Sequence, residues 1–305
     1  ECCDRHCGAN RIALRCLSAG EVLTEYSFED LRALSAKAAN VLRDKGVRPG
    51  DVVAGMLPRT VELVALILGA WRLGAVYQPL FTAFGPKAIQ HRLETSRAKL
   101  VVTNSANRPK LDEVQGCPQI ATVRDGEAPL APEDVDFRKA LAEASTDFAP
   151  VMRKGDDLFM LMSTSGTTGL PKAARMPHSR VRTYMRAFAG ATRSTPEDRI
   201  FNVLPLYHST GGLVGVGAGL LNGARIIIRK KFSATTFWPD VKASKATMFV
   251  YIGELCRYLV NSPENPDEKG HKLRLAFGNG LRAATTRRTA LEPLTDRQAQ
   301  PATTG

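Results

Sequence analysis

The stretch LFMLMSTSGTTGLPK, residues 158–172, sets five consecutive apolar residues (Leu158 to Met162) directly before a polar, glycine-bearing loop that ends in lysine. A short apolar run bounded by glycine and proline reads as a buried strand. The loop behind it has the chemistry of a phosphate cradle. Gly166 and Gly169 permit close backbone approach. The hydroxyls of Thr164, Ser165, Thr167 and Thr168 can donate to phosphate oxygens, and Lys172 adds a positive charge on a long stem. The pattern is not GxxxxGK[ST]: that motif would need glycine at Pro171 and a hydroxyl residue after Lys172. Pro171 also opposes a helix starting there, so the loop is expected to stay flexible and close over its ligand.

Strand and helix signals alternate on both sides of this loop. Ser27 and Asp30 form a capping-box-like pair before Phe28, Leu31, Leu34, Ala38 and Val41, whose spacing predicts a helix closed by Gly46. Val52 to Met56 reads as a buried strand. Thr60 is placed to cap a helix to Leu73 that is apolar almost all round, hence deeply buried, with Gly74 as its stop. Residues 75–77 form the next strand, Gly85-Pro86 opens another helix, and residues 99–103 the strand after it. Further strands are expected at 158–162, 199–204, 224–230, 246–251 and 273–277, and helices near 178–190, 233–243 and 252–261. Such alternation with short links predicts an α/β fold of parallel sheets flanked by helices. Residues 124–155, rich in Pro, Asp and Glu, read as a surface excursion. From Ala283 to Gly305 only Leu291 and Leu294 are large and apolar, which predicts disorder.

The 305 residues carry 42 Lys and Arg against 30 Asp and Glu, a net charge of +12. All of that excess falls after residue 150. A basic half fits anionic partners such as nucleotide phosphates, although a solvated basic face is the commoner meaning. The six cysteines lack paired CxxC spacing, so no metal site is expected and reduced thiols are. No apolar run approaches the roughly 20 residues of a membrane span, and no signal-peptide pattern is read. A nucleic-acid-binding role is not expected, because no basic motif is interleaved with aromatics.

Residues Ser163 to Lys172 resemble the signature loop of the adenylate-forming (AMP-binding) superfamily, which binds the β- and γ-phosphates of ATP. The region from Tyr26 to Leu80 resembles that superfamily's opening segment. LPLYHSTGGLVGVG, RKKFSATTFW, YIGELCRYL and LRLAFGNGLR are similar to its fatty acid transport protein and very-long-chain acyl-CoA synthetase branch. VYQPLFTAFGPKAI is more similar to the short- and medium-chain synthetases. The resemblance implies a partial N-terminal domain with the C-terminal domain absent: a first α/β subdomain at 1–150, a second with the phosphate loop at 151–282, and an out-of-family tail at 283–305.

Residue by residue, the resemblance implies that Thr164, Ser165, Gly166, Thr167, Thr168, Gly169 and Lys172 bind ATP phosphates. His208 falls beside the carboxylate substrate, Gly278, Asn279 and Gly280 line the adenine side, and Tyr251 and Glu254 lie near the acyl pocket. His208 and Lys172 are the candidate catalytic residues. Gly211 to Gly219 is expected to allow close helix packing rather than an acyl channel, and Arg229-Lys230-Lys231 reads as a solvated basic cluster. The resemblance further implies ATP, Mg²⁺ and coenzyme A, a fatty acid or other carboxylate substrate, and a cytoplasmic setting with peripheral membrane contact. The family's Mg²⁺-holding glutamate motif, ribose-binding aspartate and late lysine are not found from Arg282 onward. The implied function is an ATP-dependent fatty acid–CoA ligase present as an incomplete chain. The alternatives are a catalytically silent nucleotide- or acyl-binding or fatty acid uptake module, and another adenylating enzyme such as a peptide-synthetase domain.

Overall fold

The apolar runs become parallel strands. In a computed structural model, residues 2–17, 23–163 and 172–281 are described. In chain order the strands and helices are β1 (Ile12–Leu17), β2 (Leu23–Ser27), α1 (Phe28–Asp44), β3 (Val52–Met56), α2 (Val61–Leu73), β4 (Val76–Pro79), α3 (Pro86–Ser96) and β5 (Leu100–Asn104). There follow β6 (Gln119–Val123), β7 (Val135–Asp136), α4 (Phe137–Glu143), β8 (Leu158–Ser163), β9 (Ala173–Pro177), α5 (His178–Ala191) and β10 (Arg199–Asn202). A π-helical segment, Thr210–Gly217, runs into α6 (Ala218–Leu221), and β11 (Arg225–Arg229), α7 (Phe237–Ala243), β12 (Met248–Ile252), α8 (Gly253–Val260) and β13 (Leu275–Asn279) complete the order. The chain forms two compact units, Asp30–Thr183 and Glu1–Glu29 with Tyr184–Gly305.

The unit Asp30–Thr183 holds a seven-stranded sheet in the order β7-β6-β5-β3-β4-β8-β9. Its neighbours are parallel except β8 and β9. Every residue of β3 and β5 is buried, as a parallel strand covered on both faces requires. Ala54, Met56, Ile89, Leu93, Val101 and Ile120 form one apolar cluster between the sheet and α3. The helix α2 is buried on nearly all sides, as its composition predicts. A side chain on its Gly69 would come within 2.5 Å of Ala38 Cβ on α1, so glycine lets these helices touch backbone to backbone. Gly74 ends α2 in a left-handed turn at φ 75°, where a Cβ is costly. Thr60 sits at the N-cap position with extended backbone but makes no side-chain cap bond.

The stretch 124–155 is more than a surface excursion. It contains β7 and α4, and Phe137 is fully buried while Leu141 is 7% exposed. Asp136 caps α4 by accepting the Lys139 N–H at 3.0 Å. The helix is only seven residues long, too short to show a helical period in sequence.

The other unit holds a six-stranded sheet, β13-β12-β10-β11-β1-β2, parallel throughout except for the β1–β2 pair. Ile226, Ile227 and Ile228 of β11 are fully buried. Phe237 packs edge-on against Phe249 at 4.8 Å and lies 5.6 Å from Phe201. The N-terminal strand β1 joins this sheet by pairing in parallel with β11, more than 200 residues away. The compact units therefore divide the chain at Asp30 and Thr183, whereas the sequence reading divides it at 150. The expected tail at 283–305 lies outside the described residues.

Candidate functional site

The stretch 163–172, expected from sequence to bind phosphate, joins two antiparallel strands. Ser163, the last residue of β8, is in register with Ala173, the first of β9. The sequence reading assigns no element between the loop and the helix near 178–190; the strand Ala173–Pro177 fills that interval, and α5 follows where the helix is expected. Thr164, Ser165, Gly166, Thr167, Thr168 and Gly169 lie outside the described residues. Their flanks are well anchored. In β8, Phe159 stacks on Trp71 at 4.1 Å and meets His178 edge-on at 4.7 Å. Burial, reinforced by Arg153, pulls the His178 pKa below its ordinary value. At the other flank Lys172 is exposed, directly before β9. Ser163 accepts a hydrogen bond from Arg92 Nε at 3.1 Å.

The remaining site residues sit on the other unit, at the carboxyl ends of three adjacent parallel strands. In open α/β sheets this is the edge where ligands bind. His208 lies in the loop after β10 and is exposed. Its backbone N–H donates to Pro205 O at 3.3 Å and its carbonyl accepts from the Gly212 N–H at 2.8 Å. Gly278 and Asn279 end β13, and Gly280 follows at φ 72°. The Asn279 side-chain amide donates to Thr210 Oγ1 at 3.1 Å, which ties the expected adenine-side turn to the segment carrying His208. Asn202 fastens the same segment: its Nδ2 donates to Gly211 O at 2.9 Å and its Oδ1 accepts the Leu204 N–H at 3.0 Å. A side chain at Gly278 would strike the Tyr251 carbonyl oxygen, and one at Gly253 the Gly280 carbonyl oxygen. Glycine is thus required where β12 and β13 turn outward together.

The glycines of the π-helical segment serve packing, as expected. A Cβ at Gly211 would strike Pro205 O, and one at Gly217 would come within 2.6 Å of Met185 Cε. Arg229 of the basic cluster pairs with Asp240, while Lys230 and Lys231 are both exposed. Tyr251 is 4% exposed. Glu254 is a first-turn residue of α8 that accepts from Arg257 Nε at 3.1 Å, a helix-start ion pair. Among the described residues no three His, Cys, Asp or Glu side chains gather into a metal-sized site. No helix of the described residues is long and apolar enough to cross a membrane. Sequence reading missed Arg92, Asn202 and Thr210. Asn202 and Thr210 flank the LPLYHS stretch and were within reach of it, but nothing near Arg92 in sequence points to Ser163.

The AMP-binding enzyme family model matches residues 3–295. Human long-chain fatty acid transport protein 1 is 39% identical over 283 residues, which cover 90% of this chain and 43% of that protein. The crystal structure of a Brucella canis acyl-CoA synthetase superposes with a TM-score of 0.86 at 44% identity, covering 94% of this chain and 53% of that one. The ATP-bound structure of MatB from Rhodopseudomonas palustris gives a TM-score of 0.81 at 26% identity, covering 93% and 55%. The chain thus spans about half the length of the proteins it matches. With a match that takes in the strands of both sheets, the chain belongs to the AMP-binding enzyme family.

Proposed function

We propose that this chain carries the ATP-binding part of a fatty acid–CoA ligase. The observation that carries the reading is the loop of residues 163–172, a hydroxyl- and glycine-rich run ending in lysine, strung between β8 and β9 in a member of the AMP-binding family. In the proposed reaction a carboxylate oxygen attacks the α-phosphorus of ATP, the bond to the β-phosphate oxygen breaks, and pyrophosphate leaves with its electron pair. The acyl-adenylate is then attacked at its carbonyl carbon by the thiolate of coenzyme A, and AMP departs. Activation is needed because a carboxylate oxygen is a poor leaving group and AMP a good one.

Thr164, Ser165, Gly166, Thr167, Thr168 and Gly169 cradle the β- and γ-phosphates in this reading, and Lys172 offsets charge as pyrophosphate forms. His208 orients the carboxylate for attack. Gly278, Asn279 and Gly280 hold the adenine side, fixed to the His208 segment through Thr210. The described residues offer no acidic cluster for Mg²⁺, so no step is assigned to the ion here. Coenzyme A, the fatty acid and peripheral contact with a membrane surface belong to the same proposal. The similarity to a fatty acid transport protein and to an acyl-CoA synthetase supports an acyl substrate over an amino acid.

ATP–pyrophosphate exchange on the 305-residue chain, with acids from acetate to very long chains, tests the reading. Exchange is expected to fall at least tenfold in Lys172→Ala, and the acid giving the fastest exchange identifies the chain length. ATP binding without exchange for any acid supports the alternative, a module that holds nucleotide without turning it over. Absence of ATP binding removes the reading.

A further inference from the structure

The strand β11 reads Arg225-Ile226-Ile227-Ile228-Arg229. Residues two apart on a strand face the same way, so both arginines share the face of Ile227. Arg229 is answered there, by Asp240 of α7. Arg225 is not: its Nε is buried and, among the described residues, has no hydrogen-bond partner. In-register neighbours on adjacent parallel strands also share a face. Arg199 of β10 is the partner of Arg225, and Arg15 of β1 is the partner of Ile227. Arginines from three adjacent strands, β10, β11 and β1, therefore stand on one face of one sheet.

The neighbouring carboxylates do not balance this charge. Glu25 of β2 pairs with Arg15. Asp198, beside Arg199 in sequence, is taken up by Arg274, Thr247 and the Thr195 N–H. Arg199 donates from Nη1 to the Lys245 carbonyl at 3.4 Å, a neutral partner. Arg15, Arg199 and Arg225 against Glu25 leave an excess of two positive charges. Burial lowers the Arg225 pKa, Arg15 and Arg199 lower it further, and Glu25 opposes them. Like charges on adjacent strands repel, and a buried donor without an acceptor is costly. An arriving oxyanion removes both costs, because the planar guanidinium fork fits its oxygens in pairs. All three arginines are half-buried, so a small anion can reach them from solvent. Arg199 and Arg225 open β10 and β11, at the end of the sheet opposite to the carboxyl ends that carry His208 and Asn279.

We propose that Arg15, Arg199 and Arg225 form an oxyanion site on the six-stranded sheet, which takes a phosphate group as free phosphate or as a phosphomonoester. A phosphate group at neutral pH carries roughly 1.5–2 negative charges, which matches the charge that the arginines leave uncompensated. Arg225 is central, between Arg199 on one neighbouring strand and Arg15 on the other, and it supplies the buried donor that lacks a partner. The proposal does not rest on the reading of residues 163–172, and no bond forms or breaks at this site.

The test is a titration of the 305-residue chain, labelled at its isoleucine methyl groups, with inorganic phosphate and with methyl phosphate at constant ionic strength. The Ile227 methyl signal, identified by its loss in Ile227→Val, reports from the arginine face. Wild type is expected to give a saturable shift. Arg225→Gln should weaken binding about tenfold and Arg199→Gln by a smaller factor. Arg225→Lys recovers part of the loss, because charge returns without the planar fork. Glu25→Gln should tighten binding about threefold, since it removes a negative charge and releases Arg15; a merely structural cluster would show no such gain. Methyl phosphate binding as well as phosphate assigns the site to a phosphomonoester, and binding of phosphate alone assigns it to the free ion. No saturable shift with either ligand overturns the proposal, and so does an affinity in Arg225→Gln within about twofold of wild type. If thermal melts show that Arg225→Gln does not fold, Arg199→Gln and Glu25→Gln decide: opposite changes in affinity support the site, and unchanged affinity in both overturns it.

Discussion

Asp198 shows how single residues hold the sheet that carries His208. Its side chain is 5% exposed. It accepts from Arg274 Nε at 2.9 Å and Nη2 at 2.6 Å, from Thr247 Oγ1 at 2.7 Å and from the Thr195 N–H at 2.9 Å. Burial works against its charge, but the Arg274 guanidinium, the Thr247 hydroxyl and the Thr195 amide together hold its pKa below the ordinary 3.8. A carboxyl whose pKa is depressed on folding stabilises fully above its unfolded pKa, and that contribution disappears as pH falls through the folded value. Asp198→Asn should therefore cost about 2 kcal/mol at pH 7, the scale of hydrogen bonds to a charged group. The figure is kept low because Arg274 is 41% exposed and solvent screens it. Urea midpoints of the two proteins should converge as pH drops below about 4; a gap that persists at about pH 2 would contradict the assignment. At this scale the candidate site is partly legible in sequence. Hydroxyl, glycine and lysine side chains suit phosphate wherever the chain places them, so the proposal for the 163–172 loop can be framed from sequence alone. Arg92 and Thr210 bond to side chains 71 and 69 residues away, Ser163 and Asn279, and no local pattern encodes those pairings.

Among the elements, those that bury a long apolar run were readable and those that borrow their stability from a neighbour were not. The helix α2 and the strands β3, β5, β8, β11 and β12 carry their own signal. The strand β9, Ala173–Pro177, is small, partly exposed and ends in proline; it exists because β8 supplies a register for it. The π-helical turn Thr210–Gly217 is likewise invisible in its sequence, which shows only a glycine-rich apolar run. Its geometry depends on what those glycines touch, and the same logic separates two substitutions. Gly278→Ala would drive a methyl into the Tyr251 carbonyl, and parallel pairing of Tyr251 with Gly278 leaves neither strand free to yield. The expected cost is roughly 3 kcal/mol, the upper end of overpacking, with Asn279 pulled away from Thr210. Gly190, near the end of α5, has open space on its side-chain side, with nothing within 4 Å of where a methyl would sit. Gly190→Ala should therefore stabilise by about 0.5–1 kcal/mol. Urea denaturation of the wild type and the two variants decides; equal midpoints for both variants would mean that the β12–β13 turn has room the structure does not show.

Over the whole molecule, the division into units follows from strand pairing rather than from position in the chain. All seven strands of one sheet come from the continuous segment Asp30–Thr183. The other sheet needs β1 and β2 from the first 29 residues, since β1 covers the flank of β11 that β10 does not. Removing residues 1–29 would expose the edge of a strand whose Ile226, Ile227 and Ile228 are fully buried. An uncovered, flat, apolar edge is a template for intermolecular pairing. Residues 30–183 expressed alone should therefore fold, with cooperative urea unfolding and a slope of about 1–3 kcal/mol/M. Residues 184–305 alone should aggregate, and joining residues 1–29 to residue 184 through a flexible glycine–serine linker should restore a monomer. Light scattering and far-ultraviolet circular dichroism distinguish these results. If residues 184–305 proved monomeric with native-like strand content, the β1–β11 pairing would not be what protects the isoleucine strand, and the sheet carrying His208 and Asn279 would be stable without the chain's first strands.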